Sequence, residues 1–168
     1  MLTNIPRLDA LVNNAGIGTP SGSLSKQMSQ IFQTNAMGPL LMVESFAPLL
    51  KKSIGTPRIV NVSSGGGSIT TRLDPTSTGY SMKVVPYRAS KAALNMITAC
   101  QAVEFGDLGF KVFVYCPGFT VSNLGPYNKA ENGAKSTNEG AAPIVKILAG
   151  ERDGEHAKFL HATGQYPW

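Results

Sequence analysis

The chain of 168 residues is long enough to bury one core and is predicted to form a single domain. A hydrophobic share of 42% and a charged share of 15% are typical of a water-soluble globular protein. The 15 basic residues give a net charge of +5 but are scattered, which argues against a nucleic-acid partner. The excess of basic over acidic residues indicates either an ordinary solvated surface or a mild attraction for anionic small molecules such as phosphorylated cofactors.

Targeting and redox features favour a cytoplasmic protein. Residues 1–12 carry no charged segment followed by a long apolar stretch, so no signal peptide is predicted. No apolar run approaches the ~20 residues of a membrane span, so no membrane partner is expected. Cys100 and Cys116 lie in apolar surroundings without metal-ligand spacing. They are predicted to be free thiols, and no metal site is expected.

Strand and helix patterns alternate along the chain. The stretch "LDALVNNAG" predicts a buried strand that ends in a loop, and an apolar stripe predicts a long helix from about Leu24 to Lys52. The stretch "PRIVNVSSGGGS" predicts a second strand, followed by a loop over residues 66–85. A helix from Tyr87 to about Phe105 comes next, and "FKVFVYCPG" predicts a third strand. The stretch "NEGAAPIVKILAG" then predicts a short helix, and "KFLHATG" a last strand.

This alternation predicts an α/β fold with a Rossmann-like parallel sheet and helices on both faces. In such sheets, ligands lie beyond the carboxyl ends of the strands. Three loops follow predicted strand ends, at residues 13–16, 63–67 and 117–122. We therefore expect these loops to converge on one crevice.

Tyr87 and Lys91 stand four residues apart at the start of a predicted helix, so they lie on one helical face. An ammonium beside a phenol stabilises the phenolate, which is expected to lower the tyrosine pKa below its usual value of about 10. Tyr87 is then a candidate general acid or base, and Lys91 can also bind vicinal hydroxyls. The same spacing occurs on ordinary amphipathic helices, so the pair needs support from other groups.

Two further polar groups belong to this hypothesis. Ser63 or Ser64 ends the second strand and could hold a carbonyl oxygen, or could simply bond its own turn. Asn35 precedes Met37-Gly38-Pro39, where a local kink is predicted to free a backbone carbonyl for a water molecule. Asn35 is otherwise an incidental polar residue inside a helix.

Five stretches, taken in order, resemble the short-chain dehydrogenase/reductase family: "NNAG", "TNAMGPL", "IVNVSS", "YRASKAALN" and "YCPGFTVSNL". The resemblance covers essentially the whole chain, and the ending "GQYPW" is similar to carbonyl-reductase-like members found in fungi. It implies an oxidoreductase that uses NADP(H) or NAD(H) to reduce a ketone or aldehyde, or to oxidise an alcohol. It also implies a catalytic tetrad of Asn35, Ser64, Tyr87 and Lys91, in which Tyr87 donates a proton to the carbonyl.

The resemblance further implies which residues would hold the cofactor. Tyr87 and Lys91 would both contact the cofactor. Lys91 would bind the nicotinamide ribose and would link to a water molecule held at Asn35. The loop on the adenosine side would be formed by Asn13, Ala15 and Gly16. The loop that holds the nicotinamide carboxamide would be formed by Pro117, Gly118, Thr120 and Ser122.

One part of the family pattern does not occur in this sequence. Family members begin with a strand, a glycine-rich turn and a helix whose N-terminus takes the pyrophosphate. The stretch "NAGIGTP" does not open such a unit. Residues 1–168 are therefore predicted to form a single partial, N-terminally truncated NAD(P)-binding domain that carries the catalytic part. The segment "LDALVNN" would then be an exposed edge strand.

Three accounts of this shortened pattern stay open. The chain is a fragment of an ordinary reductase, a natural short form that pairs with itself or a partner, or a protein that has dropped the nucleotide. The last account predicts either a cofactor-free acid–base enzyme, such as an isomerase or cyclase, or a scaffold. Family members usually associate through two long helices, here residues 24–52 and 87–105, so a homo-oligomer is expected. The sequence assigns neither the substrate nor the choice between NAD and NADP.

Overall fold

A computed structural model describes residues 5–168 and contains a parallel sheet in the order β1-β2-β3-β4. The strands are β1 (Ala10–Asn13), β2 (Arg58–Val62), β3 (Lys111–Tyr115) and β4 (Phe159–Leu160). Each forms within a stretch that the apolar pattern predicts as a strand, so the parallel α/β fold is confirmed. The prediction of no signal peptide over residues 1–12 falls partly on residues 1–4, which lie outside the described residues.

The α-helices within the described residues are α1 (Leu24–Phe32), α2 (Gly38–Leu50), α3 (Ile69–Leu73), α4 (Val85–Gly106) and α5 (Thr137–Leu148). Short 3₁₀ turns occupy Gly65–Gly67, Ala130–Asn132 and Asp153–Glu155. The start of α5 is fixed by a capping box in which Ser136 and Glu139 exchange hydrogen bonds. The prediction of a continuous loop over residues 66–85 missed α3, whose start is fixed by Ser68 accepting the Thr71 N–H.

The helix predicted from Leu24 to Lys52 is interrupted by a π-helical turn at Gln33–Met37. Pro39 explains part of this interruption. It stands four residues after Asn35 and has no N–H, so the Asn35 carbonyl lacks its usual α-helical donor. This wider turn between α1 and α2 lies at the place near Asn35 where a kink was predicted.

The sheet carries helices on both faces, as predicted. On one face, Ile59 of β2 packs in a buried cluster with Val112 of β3 and with residues of α2 and α4, namely Val43, Ala47, Leu50, Ala102 and Phe105. On the other face, Val60 and Phe113 pack against Ile147 of α5. Because successive side chains of a strand point to opposite faces, the neighbours Ile59 and Val60 belong to different halves of the core.

The two edges of the sheet differ. β1 lies at one edge, where its strand partner within residues 5–168 is β2 alone, as predicted for "LDALVNN". The outer edge of β4 is covered by residues 164–168. The Tyr166 N–H donates to the Phe159 carbonyl at 2.7 Å, and the His161 N–H donates to the Gly164 carbonyl at 2.9 Å. Among residues 5–168, one edge of the sheet is thus without a second strand partner and the other edge is covered.

Candidate active site

A cavity of about 700 Å³ lies at the carboxyl ends of the strands. Residues 14–17, residues 62–64 and most of residues 116–124 line its walls, so all three predicted loops reach it. Helix α4 adds Tyr87 and Lys91. The parallel strands place these loops at the same end of the sheet, and the predicted convergence on one crevice is confirmed.

Lys91 is almost fully buried at the cavity wall, with only 4% of its surface exposed. Its Nζ donates to the Val62 carbonyl at 2.8 Å and lies 5.9 Å from the centroid of the Tyr87 ring. That bond uses one of the three donors of an ammonium group. Burial lowers the pKa of Lys91 to about 8, because the charged form is poorly solvated there.

Tyr87 shows the opposite pKa shift from the one predicted. Burial raises the pKa of Tyr87 above its usual value of 10.0, while a hydrogen bond with Ser64 acts in the lowering direction. The prediction that Lys91 lowers this pKa is wrong for the protein without ligand, because desolvation of the phenolate outweighs the other influences on it. A raised pKa keeps the phenol protonated at neutral pH, which suits a proton donor.

The structure distinguishes the two serines at the end of β2. Ser63 is 3% exposed, and its hydroxyl donates to Oδ1 of Asn95 at 2.7 Å. Ser64 is half-buried, and its Oγ accepts the Gly66 N–H at 3.1 Å. Ser64 and Tyr87 both line the cavity, and the Ser64 hydroxyl acts to lower the pKa of Tyr87. Because the Ser63 hydroxyl proton is used on Asn95, Ser64, the predicted candidate, is the better placed of the two serines.

A glycine determines how the turn after Ser64 packs on α4. A Cβ on Gly67 would lie between 2.8 and 3.0 Å from the carbonyl carbon and Cβ of Lys91 and the nitrogen of Ala92. Because real Cβ atoms do not approach backbone atoms this closely, only glycine lets the turn lie against α4 at this point. The contact holds Ser64 and Lys91 on the same wall of the cavity.

Two predicted site residues, Asn35 and Asn13, do not line the cavity. The fully buried Asn35 side chain accepts the Ile17 N–H at 2.8 Å and donates to the Ile17 carbonyl at 2.9 Å and the Ser90 hydroxyl at 3.1 Å. Asn13 is also buried and donates to Oδ1 of Asn61 at 2.8 Å. Because both side chains bond to groups inside the protein, they support the wall from behind.

The other predicted site residues do line the cavity: Ala15, Gly16, Ser64, Tyr87, Lys91, Pro117, Gly118, Thr120 and Ser122. Gly16 lies close to both Asn35 and Lys91. A Cβ on Gly16 would be 3.5 Å from Oδ1 of Asn35 and 3.6 Å from Nζ of Lys91. Gly118 has a φ of +75°, a conformation that glycine adopts readily and other residues do not.

Beyond the named site residues, the cavity is lined by Val121, which falls in the predicted loop 117–122, and by Asn123, Leu124, Asn128, Thr137 and Ile144, which were not predicted individually. They belong to residues 119–136 and to the neighbouring helix α5. An isolated parallel bridge between Thr120 and Lys135 closes this segment at its base. Its tip contacts the opposite wall, where a Cβ on Gly18 would lie 2.1 Å from the Leu124 carbonyl oxygen. No hydrophobic period marks the segment, so the sequence offers no signal for it.

Within residues 5–168, no group of three or more histidine, cysteine, aspartate or glutamate side chains could hold a metal ion. No α-helix of this described range combines the length and the apolar character needed to cross a bilayer. The ion pair of Arg58 with Asp153, at 2.7 Å, lies at the amino end of β2 and so away from the cavity.

The burial of Lys91 predicts that stability depends on pH. The unfolded chain keeps Lys91 protonated up to about its usual pKa of 10.5, whereas the folded chain releases the proton near pH 8. Between these values the unfolded state binds more protons, so the free energy of unfolding should rise with pH, by roughly 3 kcal/mol over the whole interval. The raised pKa of Tyr87 lowers the free energy of unfolding with rising pH, but only above pH 10. Between pH 8 and 10 the change in stability therefore reports on Lys91 without a contribution from Tyr87.

Urea unfolding of the wild type and of Lys91→Met at several pH values between 8 and 10 tests this prediction. We expect the rise with pH in the wild type and a nearly flat profile in Lys91→Met. Lys52→Met is the matched control, because Lys52 is exposed and its replacement should leave the rise intact. An equal slope in Lys91→Met and the wild type would refute the account.

The sequence is similar to that of known short-chain dehydrogenases. The sequence profile of the short chain dehydrogenase family matches residues 1–133. Short-chain dehydrogenase anuI of Penicillium roqueforti is 42% identical over 146 residues, which cover 83% of this chain and 56% of anuI. Short-chain dehydrogenase/reductase eupG of a Phoma species is 32% identical over 187 residues, covering 96% of this chain and 67% of eupG.

The structure also resembles a solved enzyme. The NADPH-bound carbonyl reductase from chicken fatty liver superposes with a TM-score of 0.79 at 29% sequence identity. The match covers 96% of this chain and 66% of the chicken protein. The chain thus spans between about half and two thirds of the length of these relatives. Since the family profile matches well over half of its residues, the chain belongs to the short-chain dehydrogenase family.

Proposed function

We propose that the protein is a nicotinamide-dependent oxidoreductase that reduces a ketone or aldehyde, or oxidises the corresponding alcohol. The observation that carries the proposal is the convergence of Tyr87, Lys91 and Ser64 on one wall of the cavity. The fungal dehydrogenases and the chicken carbonyl reductase support the same reaction class. Because the chain spans only part of these relatives, the activity of the whole protein is itself part of the proposal.

The residues at the cavity suit a nicotinamide nucleotide, NADP(H) or NAD(H). The buried Lys91 ammonium has donors beyond its bond to Val62, and ribose hydroxyls are suitable acceptors. Gly16 and Gly118 expose backbone at the wall, which permits close approach of a ligand. Thr120 and Ser122 offer hydroxyl groups to a carboxamide, as the family resemblance implies. When bound, the reduced nicotinamide supplies the hydride.

Residues of the chain would donate the proton and bind the carbonyl oxygen of the substrate. Tyr87, kept protonated by its raised pKa, donates its proton to the substrate oxygen as that oxygen becomes a hydroxyl. Ser64 lines the same cavity as Tyr87 and would hold the carbonyl oxygen by a hydrogen bond. Lys91, when protonated, stabilises the phenolate that remains. Asn35 acts indirectly, because it bonds to Ser90, whose hydroxyl donates to the Tyr87 carbonyl at 2.7 Å.

Free thiols support a reducing compartment. Cys100 is exposed and Cys116 is buried, and neither forms a disulfide. Persistent free thiols are typical of the cytoplasm, which is the location that we propose.

Exposed apolar side chains on two helices support a homo-oligomer. Leu41 of α2 is 56% exposed, and Met96 and Val103 of α4 are 66% and 76% exposed. Large exposed apolar residues on neighbouring elements are typical of protein interfaces. We therefore propose that copies associate through α2 and α4.

Titration calorimetry of the purified chain with NADPH and with NADH tests cofactor binding directly. We expect saturable binding of at least one nucleotide with 1:1 stoichiometry, weakened at least about tenfold in Lys91→Met, since that change removes a charge-assisted donor. Lys52→Met should bind like the wild type. Absence of binding by the folded chain would argue against the redox reaction. A Tyr87-dependent isomerisation or cyclisation that needs no nucleotide would then favour acid–base chemistry alone.

A further inference from the structure

Residues 159–168 form an aromatic cluster next to the candidate serine. Phe159 of β4 packs against Tyr166 with ring centroids 5.2 Å apart and against Trp168 with centroids 5.9 Å apart. The backbone bond from the Tyr166 N–H to the Phe159 carbonyl fixes the segment along the edge of the sheet. Because Phe159 is only 1% exposed, it joins the aromatic cluster to the hydrophobic core.

Tyr166 contacts the turn that follows Ser64. A Cβ on Gly65 would lie between 3.0 and 3.2 Å from three atoms of the Tyr166 side chain, so the ring lies directly against this glycine. Two residues later in the chain, the Trp168 carbonyl accepts the Thr70 N–H at 3.1 Å and the Thr70 hydroxyl at 2.8 Å. The aromatic segment therefore contacts both the turn at Gly65–Gly67 and the start of α3, which follows that turn.

Cys116 joins the same turn to the opposite loop of the cavity. Its Sγ accepts the Gly65 N–H at 3.1 Å and the Gly118 N–H at 3.3 Å. Tyr166 packs against the buried cluster that contains Val114, Cys116 and Phe159. Cys116 is therefore only 5% exposed, although it lines the cavity.

We propose that Tyr166 is a positioning residue for Ser64, acting through its ring contact with Gly65 and its packing against the cluster that contains Cys116. This role rests on the proposed function of Ser64 in holding the substrate carbonyl. Three consecutive glycines give the turn unusual conformational freedom, which its contacts must offset if Ser64 is to stay beside Tyr87. Tyr166 itself does not line the cavity and touches no reacting atom.

The reactivity of Cys116 provides a test that needs no substrate. The chain has two cysteines, so Cys100→Ser leaves Cys116 as the single thiol. In this background we expect Tyr166→Ala to increase the rate of iodoacetamide alkylation at least about tenfold, because local opening exposes Sγ. Tyr166→Phe keeps the ring and loses only the hydroxyl, so a smaller increase is expected. Tyr127→Ala, at a residue that is 74% exposed, should change nothing. An unchanged rate in Tyr166→Ala overturns the proposal.

Steady-state kinetics distinguish two roles of Tyr166: positioning Ser64 for the reaction, or stabilising the fold as a whole. Tyr166→Ala should lower kcat roughly 10- to 10²-fold, the usual cost of misplacing a reacting group, while the KM for NADPH stays within about twofold. Tyr166→Phe should restore most of the lost kcat. Faster alkylation with unchanged kcat, or equal losses in kcat and nucleotide binding, overturns the positioning role. If the wild type shows no turnover but the alkylation contrast persists, the proposed function fails and the contact between Tyr166 and the turn stands.

Discussion

Replacing Tyr87 with phenylalanine should lower carbonyl turnover by ~10²- to 10⁴-fold, the range that a positioned general acid contributes. The phenylalanine ring fills the same space at the start of α4, so neither the helix nor the cavity should change shape. The Lys91 bond to Val62 is also left intact. We therefore expect NADPH affinity within about twofold of the wild type, because the change removes one transferable proton and little binding surface.

The measurement combines turnover of a carbonyl panel with calorimetric binding of NADPH for the same preparation. Tyr127→Phe provides the matched control, since Tyr127 is 74% exposed and should retain full turnover. Equal turnover in Tyr87→Phe and the wild type would remove Tyr87 from the mechanism. Parallel losses of turnover and nucleotide affinity would instead assign Tyr87 to cofactor binding.

Replacing Asn61 with alanine should lower the free energy of unfolding by about 2–4 kcal/mol, since several buried polar groups lose a partner at once. Asn61 is fully buried in β2. Its Nδ2 donates to Oγ1 of Thr98 at 2.9 Å and to Oε1 of Gln101 at 2.8 Å, and its Oδ1 accepts from Asn13 at 2.8 Å. These bonds connect β1, β2 and α4 directly beneath the cavity.

Urea unfolding curves of the Asn61→Ala variant test this network. Thr98→Val breaks only one bond to Asn61, so a loss of about 1 kcal/mol is expected. Asn132→Ala is the surface control, and its effect should stay within about 0.5 kcal/mol because Asn132 is exposed. If Asn61→Ala unfolds at the same urea concentration as the wild type, the buried amides are satisfied in some other way.

The order of strands and helices follows directly from the sequence, because each strand is an apolar run stopped by glycine, proline or asparagine. The bounds of α4 were predicted to within two residues at its start, at Val85 rather than Tyr87. The helix α3 was missed because its five residues are too few to show a hydrophobic period. The cap that Ser68 provides is a signal that would have located it.

The sequence predicts the site residues that belong to a recognisable motif. It does not predict the properties of the site that depend on contacts between distant parts of the chain. The spacing of Tyr87 and Lys91 places both on one face of α4, and the strand end brings Ser64 to them. The direction of the Tyr87 pKa shift was wrong, because burial depends on what packs around the ring. Nothing in the local sequence distinguishes Asn13, which is buried in a hydrogen-bond network, from Asn14, which lines the cavity. The contact of Tyr166 with Gly65 joins residues about 100 positions apart, beyond any local pattern.

The difference between the two sheet edges limits how copies could assemble. Two copies that add to each other through β1 would be related by a twofold axis, with their β1 strands running antiparallel. In such a pair, the β1 edge of each copy would be occupied by the β1 strand of the other. Both outer edges of the combined sheet would then be β4 strands, each covered by residues 164–168 of its own chain. For the described residues taken alone, strand addition through β1 would therefore end at a pair of copies and would not continue into an open-ended array.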